Sequence, residues 1–188
     1  MILAFDTSGP HVAVCLLVGG RVLTRAEEMA RGQAERLMPL LEELLAEGGA
    51  TWADLTRIGV GIGPGNFTGI RISVSAARGL ALGLGIPAVG VSLFQTTLHL
   101  SNCAQVAVPA PRDQVYLMDH DTVREPCLAP TLPNAAFALS TEHAVTAHVE
   151  TMARLAARAP VNGARPAPLY IRPADAAPSR DAPPVILS

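Results

Sequence analysis

Apolar residues from Ile2 to Phe5 form a short run that stops at Asp6-Thr7-Ser8-Gly9-Pro10, the pattern of a buried strand closed by a polar turn. His11 to Val18 and Arg21 to Ala26 flank Gly19-Gly20, a dipeptide that accepts the positive φ angles of a tight hairpin. Three antiparallel strands are therefore expected at the start of the chain. From Gln33 to Glu47 the period changes: Leu37, Leu40, Leu41, Leu44 and Leu45 recur at helical steps, and Gly48-Gly49 supplies a stop. That spacing predicts an amphipathic helix. Pro39 is expected in its first turn or at a kink, because an interior proline costs about 3 kcal/mol.

Arg57 to Ile62 reads as a fourth strand, running into the glycine-rich turn Gly63-Pro64-Gly65-Asn66. The next helix, Phe67 to Leu84, carries Ile70, Val74, Ala77, Ala81 and Leu84 on one face, with Phe67, Ser73, Ala76 and Leu80 beside them. Only a narrow strip with Arg71, Ser75 and Arg78 is left for water or a ligand. A helix apolar over most of its circumference needs cover on more than one side. Its own sheet supplies one cover, and either another helix of this chain or a second subunit supplies the other. Pro87 to Ser92 is a fifth strand and Leu93 to Leu100 a short helix, which together give an α/β pattern with a mixed sheet. Beyond Ser101 the pattern weakens. Strands are expected around Arg112-Asp113 within Val106 to Met118, a helix over Glu142 to Ala159, and an edge strand at Leu169-Tyr170-Ile171 in a proline-rich tail.

Composition narrows the functional classes. A chain of 188 residues with 49% hydrophobic content can bury a core as one domain or two small lobes. Its formal charge of −2 gives no field able to hold a polyanion unaided. All 14 basic residues are arginine, which excludes lysine Schiff-base chemistry and a lysine-dependent phosphate loop. Cys15, Cys103 and Cys127 form neither a zinc motif nor an even-numbered disulfide framework, so a reducing cytoplasm is expected. Met1 to Asp6 reaches an acid before an apolar run of signal-peptide length and has no basic lead-in, so secretion is not expected. The apolar stretch Gly79 to Phe94 is broken by Gly83, Gly85, Pro87 and Gly90 and is too short for a membrane span.

Two turns are candidates for phosphate chemistry. Asp6, Thr7 and Ser8 put a carboxylate and two hydroxyls at a strand end, where a metal-bound phosphate could be met; the same residues also suit a turn that satisfies its own amides. Gly63, Gly65, Asn66 and Thr68 lie between a strand and a helix N-terminus that favours anions, and glycine there equally permits tight strand-to-helix packing. The spacing is neither a dinucleotide nor a P-loop signature. The histidines, His11, His99, His120, His143 and His148, contain no pair at metal-binding helical spacing, and His143 and His148, five apart, are expected to diverge around a helix. No catalytic or metal-ligating set is assembled, and Ser8, Ser73 and Ser75 lack a hydrolase nucleophile context.

Ile2 to Ser8, Leu37-Met38-Pro39-Leu40-Leu41, Gly61 to Ser73 and Pro87 to Ser92, in that order and spacing, resemble the TsaB (YeaZ) family over about the first 100 residues. Pro168 to Arg172 resembles the family's closing signature, whereas Pro109 to Tyr116 departs from the Asp-Ala-Arg-like segment expected before its Val-Tyr pair. The resemblance implies a fold of the actin, Hsp70 and sugar-kinase type, built from ribonuclease-H-like lobes: residues 1–100 as the N-terminal lobe and 101–188 as a shortened second lobe. It further implies a non-catalytic subunit in synthesis of threonylcarbamoyladenosine (t6A) in tRNA, beside a TsaD-like catalytic subunit and a TsaE-like ATPase, with tRNA met indirectly. The metal-binding histidine pair of TsaD has no counterpart in Val91 to Thr97. Pairing with the partner, or as a homodimer when alone, is expected through the N-terminal helices at Leu37, Leu41, Leu44, Phe67, Ile70, Arg71, Val74, Ala77, Arg78 and Ala81. No intrinsic cofactor is expected, and ATP or ADP with magnesium only at a shared interface. The alternatives are an independent ATP-dependent phosphotransferase, motivated by the two turns, and a peptidase, which has neither nucleophile nor metal site behind it.

Overall fold

The structure, a computed structural model, describes residues 1–121, 125–133, 137–160 and 163–171. Strands β1 (Ile2–Asp6), β2 (His11–Val18) and β3 (Arg21–Glu28) form an antiparallel meander. The β2–β3 turn is made by Gly19 and Gly20, both at positive φ, as the hairpin requires. β4 (Arg57–Gly61) and β5 (Ala88–Val91) add in parallel, giving one sheet in the order β3-β2-β1-β4-β5.

Alternation along these strands assigns the two faces. Leu3, Phe5, Val12, Val14, Leu16, Ile58 and Val60 point to one side, where α1 (Gln33–Glu47) and α2 (Phe67–Leu84) bury Leu37, Leu40, Leu41, Leu44, Ile70, Val74 and Ala77 against them. Ala4, Ala13 and Cys15 point to the other side and meet Val149, Met152 and Ala153. These three belong to a helix from the far end of the sequence. That helix, Val145–Arg158, lies across β1, β2 and β4, where Gly59 leaves so little room that an added Cβ would sit 3.1 Å from Ala156 Cβ. Arg57 secures its C-terminal end, donating from Nη1 to the carbonyls of Ala156, at 3.0 Å, and Ala159.

Between the two halves runs α3 (Leu93–Ser101), capped by Ser92 and Gln95. It packs Phe94 against Val106, Val108 and Tyr116 of a second sheet. That sheet, in the order β8-β7-β6-β9, contains β6 (Gln105–Ala110), β7 (Gln114–Asp119), β8 (Cys127–Ala129) and β9 (Ala138–Leu139). The helix Val145–Arg158 is α4. The division at residue 100 follows the two sheets but not α4, which belongs to the N-terminal lobe. Its apolar stripe is buried on the one face of the first sheet that α1 and α2 leave open.

One alternative for Pro39 is excluded, and one expected strand is corrected. Pro39 stands in the interior of α1, beyond its first turn, so its ring takes away the amide that the Glu35 carbonyl would meet; the leucine stripe on either side holds the helix against the sheet. Leu169 to Ile171 is not a regular strand. One backbone bond, from Leu169 N to Ile62 O at 2.8 Å, attaches it beyond the end of β4. Arg172 of the closing signature lies outside the described residues.

Candidate functional site

The two glycine-rich turns are folded against each other at the C-terminal ends of β1 and β4. Asn66 N donates to Ser8 O at 2.7 Å, and the Thr7 hydroxyl donates to Gly69 O at 2.6 Å. Asn66 caps α2 by accepting from Gly69 N at 2.8 Å. A Cβ on Gly69 would lie 1.9 Å from Thr7 O, and one on Gly65 2.4 Å from Ser8 O. These glycines therefore serve close backbone approach. Gln33, at the start of α1, completes the arrangement by donating to the carbonyls of Gly9 and His11 at 2.7 and 2.8 Å.

Of the phosphate candidates, Thr7 is corrected first: it is fully buried and its hydroxyl is spent on Gly69 O. Gly63 is likewise buried, below Ile70. Asp6, Ser8 and Gly65 do meet, on the wall of a cleft of about 950 Å³ between the lobes. Gly65 and Ser8, with Asn66 and Thr68, also border an adjoining hollow of about 780 Å³. The Asp6 carboxylate is engaged by its own chain: it accepts from Ser8 N at 3.2 Å and Ser8 Oγ at 2.8 Å, and His11 Nε2 lies 3.2 Å away. Among the described residues no three His, Cys, Asp or Glu side chains gather as metal ligands.

The structure adds histidines to the cleft that the sequence pattern separates. His11 pairs with Asp6, and His143 and His148 stand on the same cleft with ring centroids 5.9 Å apart. The expected divergence of these two is overturned because His143 precedes the first turn of α4, so helical spacing does not govern it. His148 Nε2 donates to Ser140 O at 2.9 Å, and its Nδ1 accepts from the Thr96 hydroxyl at 2.7 Å. Burial holds its pKa below the ordinary histidine value and keeps it neutral. His148 thus ties α3 and α4 together. Burial pushes the Cys15 thiol up to about 12, which leaves it a packing residue without nucleophilic character.

The interface expectation is also revised. Leu37, Leu41, Leu44, Ile70, Val74 and Ala77 are almost wholly buried in the chain's own core, so they are unavailable to a partner. A stripe spaced at three and four residues is what the helix's own sheet consumes. Phe67, Arg71 and Arg78 are exposed and Ala81 is half-buried. The outward strip also shows Ser75, Gly79, Leu82 and Gly83, with Leu82 84% exposed. A Cβ at Gly79 or Gly83 would meet nothing within 4 Å. At the start of α2, Phe67 stacks on Tyr170 at 4.8 Å between ring centroids, and Arg71 Cζ lies 3.9 Å from the Phe67 centroid while its Nε donates to the Tyr170 hydroxyl at 3.0 Å.

A mixed sheet in the order 3-2-1-4-5 with helices on both faces, joined to a second smaller sheet, defines an α/β protein of the ribonuclease-H-like class. A family model described as "TsaD: tRNA N6-adenosine threonylcarbamoyltransferase" matches residues 24–129. The solved structure of YeaZ from Pseudomonas aeruginosa is 32% identical, with a TM-score of 0.60 and 73% of each chain covered. A second structure, titled an uncharacterized protein with similarity to peptidase YeaZ from Pseudomonas aeruginosa, is 28% identical, with a TM-score of 0.71, covering 91% of this chain and 99% of its own. The tRNA threonylcarbamoyladenosine biosynthesis protein TsaB of Escherichia coli is 38% identical over 95 residues, and that of Bacillus subtilis 34% over 120. These matches take in 50% and 61% of this chain and 41% and 52% of the relatives, so the chain spans about half the length of the curated relatives it matches. The chain belongs to the TsaB (YeaZ) family.

Proposed function

We propose that this chain takes part in t6A synthesis on tRNA as a supporting subunit that performs no catalysis itself. The observation that carries this is the pairing of its family membership with an unsatisfied helix face. Relatives in that family are named as t6A biosynthesis proteins, and the outward strip of α2 leaves a leucine and two glycines without intramolecular neighbours. An exposed glycine in a helix costs about 1 kcal/mol relative to alanine, so two of them on one face suit the close approach of another backbone. The partner is a TsaD-like catalytic subunit, with a TsaE-like ATPase in the same assembly and tRNA gripped mainly by the partner, because this chain has a net charge of only −2. A cytoplasmic setting follows from that role, and among the described residues no helix is long and apolar enough to cross a membrane.

The test is reconstitution. Purified chain mixed with a TsaD-like protein, a TsaE-like ATPase and substrate tRNA should give t6A, while omission of this chain should abolish the product. Full product without it would refute the assignment. The rival reading, an independent phosphotransferase, draws on the Asp6 cleft. It requires calorimetric binding of magnesium ATP by the lone chain, and none is expected with the Asp6 carboxylate already engaged by Ser8 and His11.

A further inference from the structure

The cleft between the lobes gathers acids on one wall and unmatched hydrogen-bond donors on another. On the sheet wall, Asp6, His11 and Glu28 project from the face that carries Ala4, Ala13 and Cys15, and His11 stands directly across from Glu28 in the β2–β3 register. Asp6 is engaged by Ser8 and His11. Glu28 is exposed and forms no ion pair among the described residues. The other wall is the N-terminal end of α4. Val145 and Thr146 occupy its first turn, where amides have no intrahelical acceptor, and Ala144 at the cap position has no side chain to supply one. His143, one residue earlier, lines the same cleft. Its Nε2 is shielded from solvent and yet hydrogen-bonds to nothing among the described residues, an uncommon state for a buried polar atom. The two walls are close enough that His143 on one side and Asp6 and His11 on the other all act on the charge of His148.

We propose that this cleft binds a small zwitterion, an apolar α-amino acid, with its ammonium at Glu28 and its carboxylate on the Val145 and Thr146 amides and the His143 imidazole. A helix N-terminus with open amides favours a carboxylate, and a neighbouring imidazole N–H adds a second donor for it. A simple anion such as a nucleotide phosphate would also have to face Asp6 and Glu28, with no arginine among the described lining residues to offset them. Arg31 borders only the adjoining hollow, beside Glu35. A simple cation would suit the acids and leave the helix end and His143 unmatched. Carrying both charges resolves the conflict, and Met29, Leu93 and Val108 give an apolar side chain its lining. This site goes beyond the supporting role proposed above and needs no partner subunit.

Calorimetry on the full chain tests it with L-leucine and two analogues that each lack one charge. Leucine should bind saturably, one to one, with a Kd of about 1 mM or tighter. Isoamylamine, without the carboxylate, and isocaproate, without the amine, should each bind about tenfold or more weakly. Glu28→Gln should weaken leucine by about tenfold and leave isocaproate unchanged, whereas His143→Ala should weaken leucine and leave isoamylamine unchanged. Backbone amide NMR of wild type keeps the test open if His143→Ala does not fold, because the Val145 and Thr146 signals should move as leucine is added. Absence of saturable leucine binding, equal affinity for either analogue, or amide shifts that spare the start of α4 would each overturn the proposal.

Discussion

Two glycine-bearing regions of α2 and its approach have opposite reasons for their glycine. At Gly61, Gly65 and Gly69 an added Cβ would strike Asp6 Oδ1, Ser8 O or Thr7 O between 1.9 and 2.4 Å away, so the chain's own fold forbids a side chain. At Gly79 and Gly83 nothing lies within 4 Å. The first region is saturated: Asp6, Thr7, Asn66 and Gln33 spend their polar atoms on each other and on the two turns. The second leaves small residues, a leucine and two arginines facing outward. A phosphate site and a tight turn look alike in sequence, and so do a core stripe and a docking stripe. What separates them is where each residue's contacts are found.

The largest effect that could break this comparison is Gly69→Ala. Its Cβ would collide with backbone, which cannot swing aside, and the cost should be about 3 kcal/mol in urea unfolding. A change below about 0.5 kcal/mol, the ordinary surface range, would mean that the turns are not packed as described. The arginines allow the same comparison. Arg57→Ala strips two helix carbonyls of their donor and should cost about 2 kcal/mol, whereas Arg78→Ala, at an exposed position, should stay within about 0.5 kcal/mol. Gly79→Ala should stabilise the monomer by about 1 kcal/mol, the reverse sign to Gly69→Ala.

The smallest effect is one of pH. His148 is held neutral by burial, with its folded pKa below the ordinary value of about 6.5. The unfolded chain therefore takes up the proton first as pH falls. The contribution is whole above about pH 6.5 and is lost as pH drops from there toward the lower folded pKa. Unfolding at pH 7.5 and pH 5 should show a smaller acid loss in His148→Asn than in wild type, and an equal loss would place that sensitivity elsewhere.

Much of the fold was legible because long periodic segments report their own type. The ends of α1 and the start of α2 follow from the leucine stripe of Leu37 to Leu45, the stop at Gly48, and the glycine-rich turn that closes at Asn66. The β2–β3 turn follows from Gly19-Gly20. Periodicity does not say which layer receives a stripe. Ile70, Val74 and Ala77 have the spacing of an interface, yet the helix's own sheet takes them. The site was less legible still. His11 meets Asp6 through a hairpin pairing, His148 arrives on α4, whose docking face is set by the space α1 and α2 leave, and His143 comes from the turn just before that helix. Leu169 to Ile171 has strand-like composition but only one backbone bond, beyond the end of β4, too little to build a ladder. Spacing along the chain carries none of this, because it depends on what else competes for the same surface.

The account turns on whether the outer strip of α2 is read by another protein. Calorimetric titration of Leu82→Asp against a TsaD-like partner tests that most directly, since Leu82 is the most exposed large apolar side chain among the described residues and contributes little to the core. The expected result is an unfolding midpoint matching wild type, with binding weakened by about 30-fold or more, as for a buried anchor at an interface centre. Wild-type affinity in a folded Leu82→Asp chain would contradict it.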